Sequence, residues 1–227
     1  MNTSANIMGG NESLTLPPMK SIIVIGGSSK CGTTSLFKYV HDHPAVVDAK
    51  VKETRFFLET GYPLSSTKRF ANDGIEAYWQ HFWNTSSEKH ILDATPDYLY
   101  SETAARDLYG IFGERLKVVF VLRNPVSRFC SWYRYTKRMG FIPEKTTFSD
   151  FLSMQVQCPK NDTPHYSRAL EQGRYEHYLR LFARWVPSKQ IYCQSFEEFA
   201  QNPRTEIQKL SLWLGLDPAF YDYYLFI

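Results

Sequence analysis

Two short apolar runs organise the chain. Ser21 to Ile25 (SIIVI) is β-branched, uninterrupted and followed by glycine, the pattern of a strand buried on both faces. Lys117 to Leu122 (KVVFVL) is a second run of the same kind. After each, the apolar positions change to helical spacing. Leu36, Phe37 and Val40 share one side of a helix over Thr33 to His41, stopped by Pro44, while Asn124 and Pro125 read as the N-cap and first position of another. Tyr175, Tyr178, Leu179, Phe182 and Val186 recur at helical spacing, and Gln190 to Cys193 (QIYC) reads as a third strand. A helix from Pro203 to Trp213 is closed by Gly215, and Trp79, Phe82 and Trp83 suggest one further helix face. The aromatic residues on these stripes read as core. Strands alternating with helices predict an α/β fold of three layers, a mostly parallel central sheet flanked by helices.

Length and composition narrow this picture. With 227 residues the chain suits one domain over residues 20–227, preceded by a polar, flexible lead-in over residues 1–19 that ends at Pro17-Pro18. A hydrophobic share of 43% is enough to oppose chain entropy and excludes a wholly disordered protein. The apolar runs fall far short of the roughly 20 residues that cross a bilayer, and the start MNTSANIMGGNES has no cationic or apolar signal region. No membrane association is expected. The net charge of +3 does not point to nucleic acid, so any anion site must be local. Cys31, Cys130, Cys158 and Cys193 are far apart with no C-x-x-C pair, which signals neither a zinc site nor a disulfide framework and suits a reducing cytoplasm.

The segment after the first strand, Gly26-Gly27-Ser28-Ser29-Lys30-Cys31-Gly32-Thr33-Thr34-Ser35, carries the clearest chemistry. Glycines permit a tight turn with inward amides, the helix start supplies unpaired N–H groups, and three hydroxyls add donors. A phosphate fits there. It is not a Walker A loop, because Lys30 precedes Gly32 instead of following it, and the second strand is followed by Arg123 where a magnesium-holding aspartate would stand. Both departures favour an anion cradle that uses no metal.

These residues carry a resemblance. IIVIGGSSKCGTTSLFKYVHDHP resembles the phosphosulfate loop of sulfotransferases that use 3′-phosphoadenosine 5′-phosphosulfate (PAPS), in particular the carbohydrate and bacterial branch. VVFVLRNPVSRFCSWY is similar to that family's 3′-phosphate element, Lys52-Glu53-Thr54-Arg55-Phe56-Phe57 to its K-E-x-H-F-F segment, and Ala94-Thr95-Pro96-Asp97-Tyr98-Leu99 to its T-P-x-Y stretch. Gly173-Arg174-Tyr175 and the run through Leu214-Gly215-Leu216 resemble its closing helical pattern.

The resemblance implies a P-loop-like sulfotransferase fold, direct in-line transfer, and a role for each motif. Ser29, Lys30, Cys31, Gly32, Thr33, Thr34 and Ser35 would hold the 5′-phosphate, with Lys30 stabilising the leaving oxygen. Arg123 and Ser131 would hold the 3′-phosphate. Glu53 would be the general base, its pKa raised by burial beside Phe56 and Phe57, with Lys52 assisting the sulfuryl group. His90 and His165 are alternative bases. Arg55 stands where the family commonly has His and would favour an acidic acceptor, while Asp97 and Tyr98 would touch the acceptor. Asn124, Arg128 and Arg134 read as solvated or structural. Residues 59–90 and 139–170 are expected to line the acceptor pocket, for a small molecule or carbohydrate. In the family the chain continues into a Lys/Gly/Arg loop over the 3′-phosphate, which this sequence does not contain. Two other readings stay open: a nucleotide-binding protein that binds PAP, the desulfated donor, without transfer, and a P-loop kinase.

Overall fold

Alternation along the first strand, β1 (Ser21–Gly27), sets the layers. Ile22 and Val24 belong to one apolar cluster and Ile23 and Ile25 to another, as successive side chains on a strand must. A strand buried on both faces has to be covered twice, and helices do so. The protein is described by a computed structural model over residues 16–82, 85–157 and 165–226.

After α1 (Thr33–His41) come β2 (Val46–Asp48), α2 (Phe70–Trp79), β3 (His90–Asp93), α3 (Glu102–Phe112) and β4 (Leu116–Leu122). Two helices follow, α4 (Pro125–Arg138) and α5 (Phe148–Gln157), then α6 (Tyr175–Phe182), β5 (Ile191–Ser195), α7 (Phe196–Gln201) and α8 (Pro203–Leu214). The sheet order is β2-β3-β1-β4-β5 and every pairing is parallel. Ile22 and Val24 pack with Phe57, Tyr78, Leu108 and Phe182 from α2, α3, α6 and the segment before α2. Ile23 and Ile25 pack with Leu36, Val40, Phe199, Ile207 and Leu210 from α1, α7 and α8. A third cluster, Phe129, Trp132, Ile142, Phe151 and Ala169, stands apart and joins α4 to α5.

The three-layer α/β architecture is the expected one, with differences of extent. β2 and β3 are additional strands, too short to announce themselves by periodicity. The QIYC strand runs from Ile191 to Ser195, and the last long helix reaches Leu214 before Gly215 turns left-handed at φ 76°. Val186 is buried but lies beyond the end of α6. Met19, placed in the lead-in, is buried in the first cluster; residues 1–15, Trp83 and Cys158 lie outside the described residues. No helix among the described residues is long and apolar enough to cross a membrane.

A wholly parallel sheet puts all strand carboxyl ends on one edge. From β1 the chain runs outward to β2, returns to β3 and crosses to β4 on the other side, so the crevice at this edge of β1 is the switch point where such sheets bind ligands. His90 occupies the opposite edge. It opens β3 in register with Ser21, shares a 2.7 Å hydrogen bond between Nδ1 and Ser21 Oγ, and leaves Nε2 buried without a partner. It cannot serve as a base at the carboxyl edge, which corrects one of the two histidine expectations.

Burial, with the charges of Lys20 and Lys117 and with His43, lowers the His90 pKa from 6.5 to about 4. The unfolded chain therefore takes up this proton first, so the stabilising contribution is present above pH 6.5 and is lost as pH falls toward 4. The wild type should lose about 3 kcal/mol from this group over that window. His90→Gln should flatten the slope in urea unfolding at a series of pH values; an unchanged slope would refute the assignment.

Candidate active site

At the end of β1 the chain stays tied to β4, with Ser28 N–H donating to the Val121 carbonyl at 2.8 Å. The Ser28 hydroxyl is buried against Tyr100 Oη at 2.5 Å. The loop then reverses through two left-handed residues, Lys30 (φ 68°) and Gly32 (φ 84°), and Cys31 N–H closes a turn onto the Ser28 carbonyl. Leu36 N–H bonds to the Gly32 carbonyl, so the amides of Thr33, Thr34 and Ser35 precede the first helical bond of α1. No side chain caps this end and no acid stands in its first turn. The loop is built to meet an anion.

Lys30 has no carboxylate partner among the described residues. Its ammonium rests over the Tyr135 ring, 4.1 Å from the centroid. Burial lowers its pKa, and the neighbouring charges of Arg138, Arg123 and Lys52 push the same way. Arg123 donates from Nη1 to the Lys30 carbonyl at 3.3 Å and stacks its guanidinium 4.5 Å above the Phe196 ring.

A cavity of about 380 Å³ opens at this edge. Ser29, Lys30, Thr33 and Thr34 line it from the loop, Lys52, Glu53 and Arg55 from the segment after β2, and Pro96 and Asp97 from the turn after β3. Trp132 and Tyr135 of α4, with Leu64, Phe141 and His165, form the rest. Three strands thus deliver polar groups to one space.

Glu53 sits between two cations: Lys52 Nζ is 3.4 Å from Oε1, and Arg55 Nη2 donates to Oε2 at 3.1 Å. Its side chain is 32% exposed, whereas Phe56 and Phe57 point down into the core. The apolar shelter expected for Glu53 is replaced by a clamp of charges. The clamp is held from beneath by Asp93, which is fully buried and accepts from Thr54 at 2.7 Å, Thr95 at 3.0 Å, and Tyr78 and Tyr98 at 3.1 Å each. Burial pushes its carboxyl pKa upward against the pull of these donors.

Asp97 and Tyr98 part ways. Asp97 accepts from His165 Nε2 at 2.6 Å and from Tyr62 Oη at 2.9 Å, and all three groups are nearly enclosed. Tyr98 is fully buried on the Asp93 side of the tight turn Pro96–Tyr100, so it supports the site and cannot touch an acceptor. Cys31 is also corrected: its thiol is buried 3.7 Å from Tyr175 Oη, burial raises its pKa, and its amide is already spent on Ser28. Ser35 is exposed, and Arg123 and Ser131, both half-buried, lie outside the cavity lining. Asn124 caps α4 through Val126 and Ser127 N–H, Arg134 is exposed, and Arg128 is wholly buried.

Residues 20–220 match the sulfotransferase domain family. The chain belongs to that family. This sulfotransferase domain is 26% identical over 203 residues to human bifunctional heparan sulfate N-deacetylase/N-sulfotransferase 2, covering 86% of this chain and 22% of that protein. To mouse heparan sulfate glucosamine 3-O-sulfotransferase 5 it is 23% identical over 207 residues, covering 91% of this chain and 56% of the relative. The chain therefore spans between a fifth and somewhat over half of these relatives' length. In fold it is similar to a sulfotransferase from Alicyclobacillus acidocaldarius, with a TM-score of 0.76 and 23% identity over 93% of this chain and 87% of that one. A mouse sulfotransferase solved in complex with PAP gives a TM-score of 0.53 at 13% identity, over 88% of this chain and 61% of that one.

The sulfotransferase loop, Glu53, Arg55 and Asp97 were open to sequence reasoning. Tyr135, Trp132 and Tyr62 were not singled out; Trp132 and Tyr135 share a face of α4, and that i, i+3 spacing was the available signal. Gly32 is the backbone hinge of the loop. A Cβ there would stand 2.9 Å from Phe196 and would force a side chain into φ 84°. Gly32→Ala should cost about 1–2 kcal/mol in urea unfolding and displace the ring beneath Arg123. A neutral result would show that the loop relaxes freely.

Proposed function

We propose that this domain transfers a sulfuryl group from PAPS directly, in line, to a hydroxyl of a small-molecule or carbohydrate acceptor. The observation that carries the reading is the shared cavity, lined by Lys30, which has no carboxylate partner among the described residues, by Thr33 and Thr34 at the start of α1, and by the clamped carboxylate of Glu53. PAPS fits the chemistry of the donor half. Arg138, Arg123 and Lys52 crowd Lys30 with positive charge, which an anion at the loop would relieve. The amides and hydroxyls of Thr33, Thr34 and Ser35 would hold the 5′-phosphate, and Arg123 with Ser131 the 3′-phosphate. Lys30 would stabilise the negative charge that grows on the bridging oxygen as the S–O bond breaks.

On the acceptor side Glu53 would take the hydroxyl proton, Lys52 would face the sulfuryl oxygens, and Arg55 with Asp97 would orient the acceptor. An arginine beside aromatic Trp132, Tyr135 and Phe141 suits a saccharide or small molecule that bears an acidic group. The heparan sulfate relatives support a carbohydrate. The free thiols of Cys31, Cys130 and Cys193 support a reducing, cytoplasmic setting.

Calorimetric titration should show low-micromolar PAP binding by the wild type, weakened more than about tenfold in Lys30→Ala and Arg123→Ala, with ATP–Mg²⁺ ignored. Absence of PAP binding by the wild type would sink the reading. Once an acceptor is found, Glu53→Gln should lower kcat about 10²- to 10⁴-fold. Its PAP affinity should stay within about threefold of the wild type, and a comparable loss of PAP binding would remove Glu53 from the role of base.

A further inference from the structure

The largest fully buried side chain among the described residues is a charged one, Arg128 of α4. Its Nη2 donates to the Ala169 carbonyl and its Nη1 to the Ser29 carbonyl at 3.5 Å, while Nε has no partner. No carboxylate pairs with it among the described residues. A guanidinium taken out of water costs several kcal/mol unless an opposite charge compensates it, and two carbonyl dipoles compensate only part. Its charge is felt at Cys31, Tyr100 and Tyr175, which places the field directly behind the loop that follows β1.

The contact with Ser29 has a geometric consequence. In a trans peptide the C=O and N–H point in opposite directions, so drawing the Ser29 oxygen toward Arg128 turns the Lys30 N–H away from it. Arg123 treats the next carbonyl, that of Lys30, in the same way at 3.3 Å. Two consecutive loop carbonyls are thus each held by an arginine. Unheld, such carbonyls would be free to turn their negative ends on a bound anion.

We propose that Arg128 is a positioning residue of the donor site: it orients the Ser29–Lys30 peptide and supplies, through the loop, the buried positive charge whose counter-ion is the donor's 5′-phosphate. The inference rests on the donor reading given above. It assigns Arg128 to the 5′-phosphate alone, leaving the 3′-phosphate to other groups. That division makes it testable with single-phosphate fragments of the donor, since adenosine 5′-monophosphate and adenosine 3′-monophosphate each carry one phosphate.

Calorimetry with PAP, 5′-AMP and 3′-AMP on wild type, Arg128→Gln and Arg128→Lys decides the matter, with thermal melting of each ligand-free protein as the control for folding. Glutamine keeps one amide donor and removes the charge; lysine keeps the charge. Arg128→Gln should weaken PAP and 5′-AMP about tenfold and leave 3′-AMP within about threefold of the wild type. Arg128→Lys should hold all three ligands within about threefold. Equal losses for the two monophosphates, or none, would overturn the inference, because a merely structural arginine does not discriminate between them. If Arg128→Gln shows no cooperative melting, the lysine variant decides: a tenfold loss of 5′-AMP binding with charge retained would overturn the role of the charge. A wild type that binds no PAP would remove the donor reading itself, whereas a binding wild type matched by Arg128→Gln would remove only this inference.

Discussion

The carboxylate of Asp93 is the constraint on which the site depends. It stands at the carboxyl end of β3, sealed from water, and gathers hydroxyls from the segment after β2, the turn after β3 and α2. A buried carboxylate is tolerable only when such donors surround it, so the burial that destabilises the charge also selects the geometry. Through Thr54 and Thr95 this fixes the backbone of Arg55, whose N–H donates to Thr95 Oγ1 at 3.1 Å and whose φ is 54°. Glu53 and Arg55 are then held on the cavity side, while Phe56 and Phe57 are held below. Without Asp93 that segment would have no reason to divide its charged and aromatic residues so sharply.

The donor half follows a different logic. Its polar groups are bound less to one another than to the backbone, and among the described residues its cations have no acid partners. Lys30 leans on an aromatic ring, Arg123 on another, and Arg128 on carbonyls. Aromatic faces and carbonyls steady a cation without neutralising it, so the positive potential remains available. The acceptor half is more nearly balanced, with Glu53 set against Lys52 and Arg55, and Asp97 against His165 and Tyr62. Uncompensated charge on one side of a cavity and paired charge on the other suit an anionic donor that must enter from solvent and a partner group that must be activated in place.

What is local in this fold is legible in its sequence, and what is assembled from distant segments is not. β1 and β4 were legible because strands buried on both faces are continuous β-branched runs, and the loop was legible because its glycines, lysine and hydroxyls are adjacent. β2 and β3 have three and four residues, too few for a period to show. Asp93 looked like an ordinary aspartate because its partners are scattered from Thr54 to Tyr98. Tyr98 lies in the core because adjacent residues of a tight turn face opposite ways, and only tertiary packing decides which of Asp97 and Tyr98 meets the cavity. Arg128 gave no sign of burial, since arginine is ordinarily a surface residue.

The third apolar cluster has a consequence for how such a domain can diversify. Phe129, Trp132, Ile142, Phe151 and Ala169 form a small core of their own beside the sheet, and from it Trp132 donates to the Tyr166 carbonyl next to His165. The cavity wall carried by α4, Phe141 and His165 therefore draws its packing from a body separate from the one that holds β1 and its loop. Phe141, stacked on Tyr166, can vary with that small core, whereas Tyr135 and Arg128 tie α4 to the loop after β1, so a change on the helix is answerable to the loop as well.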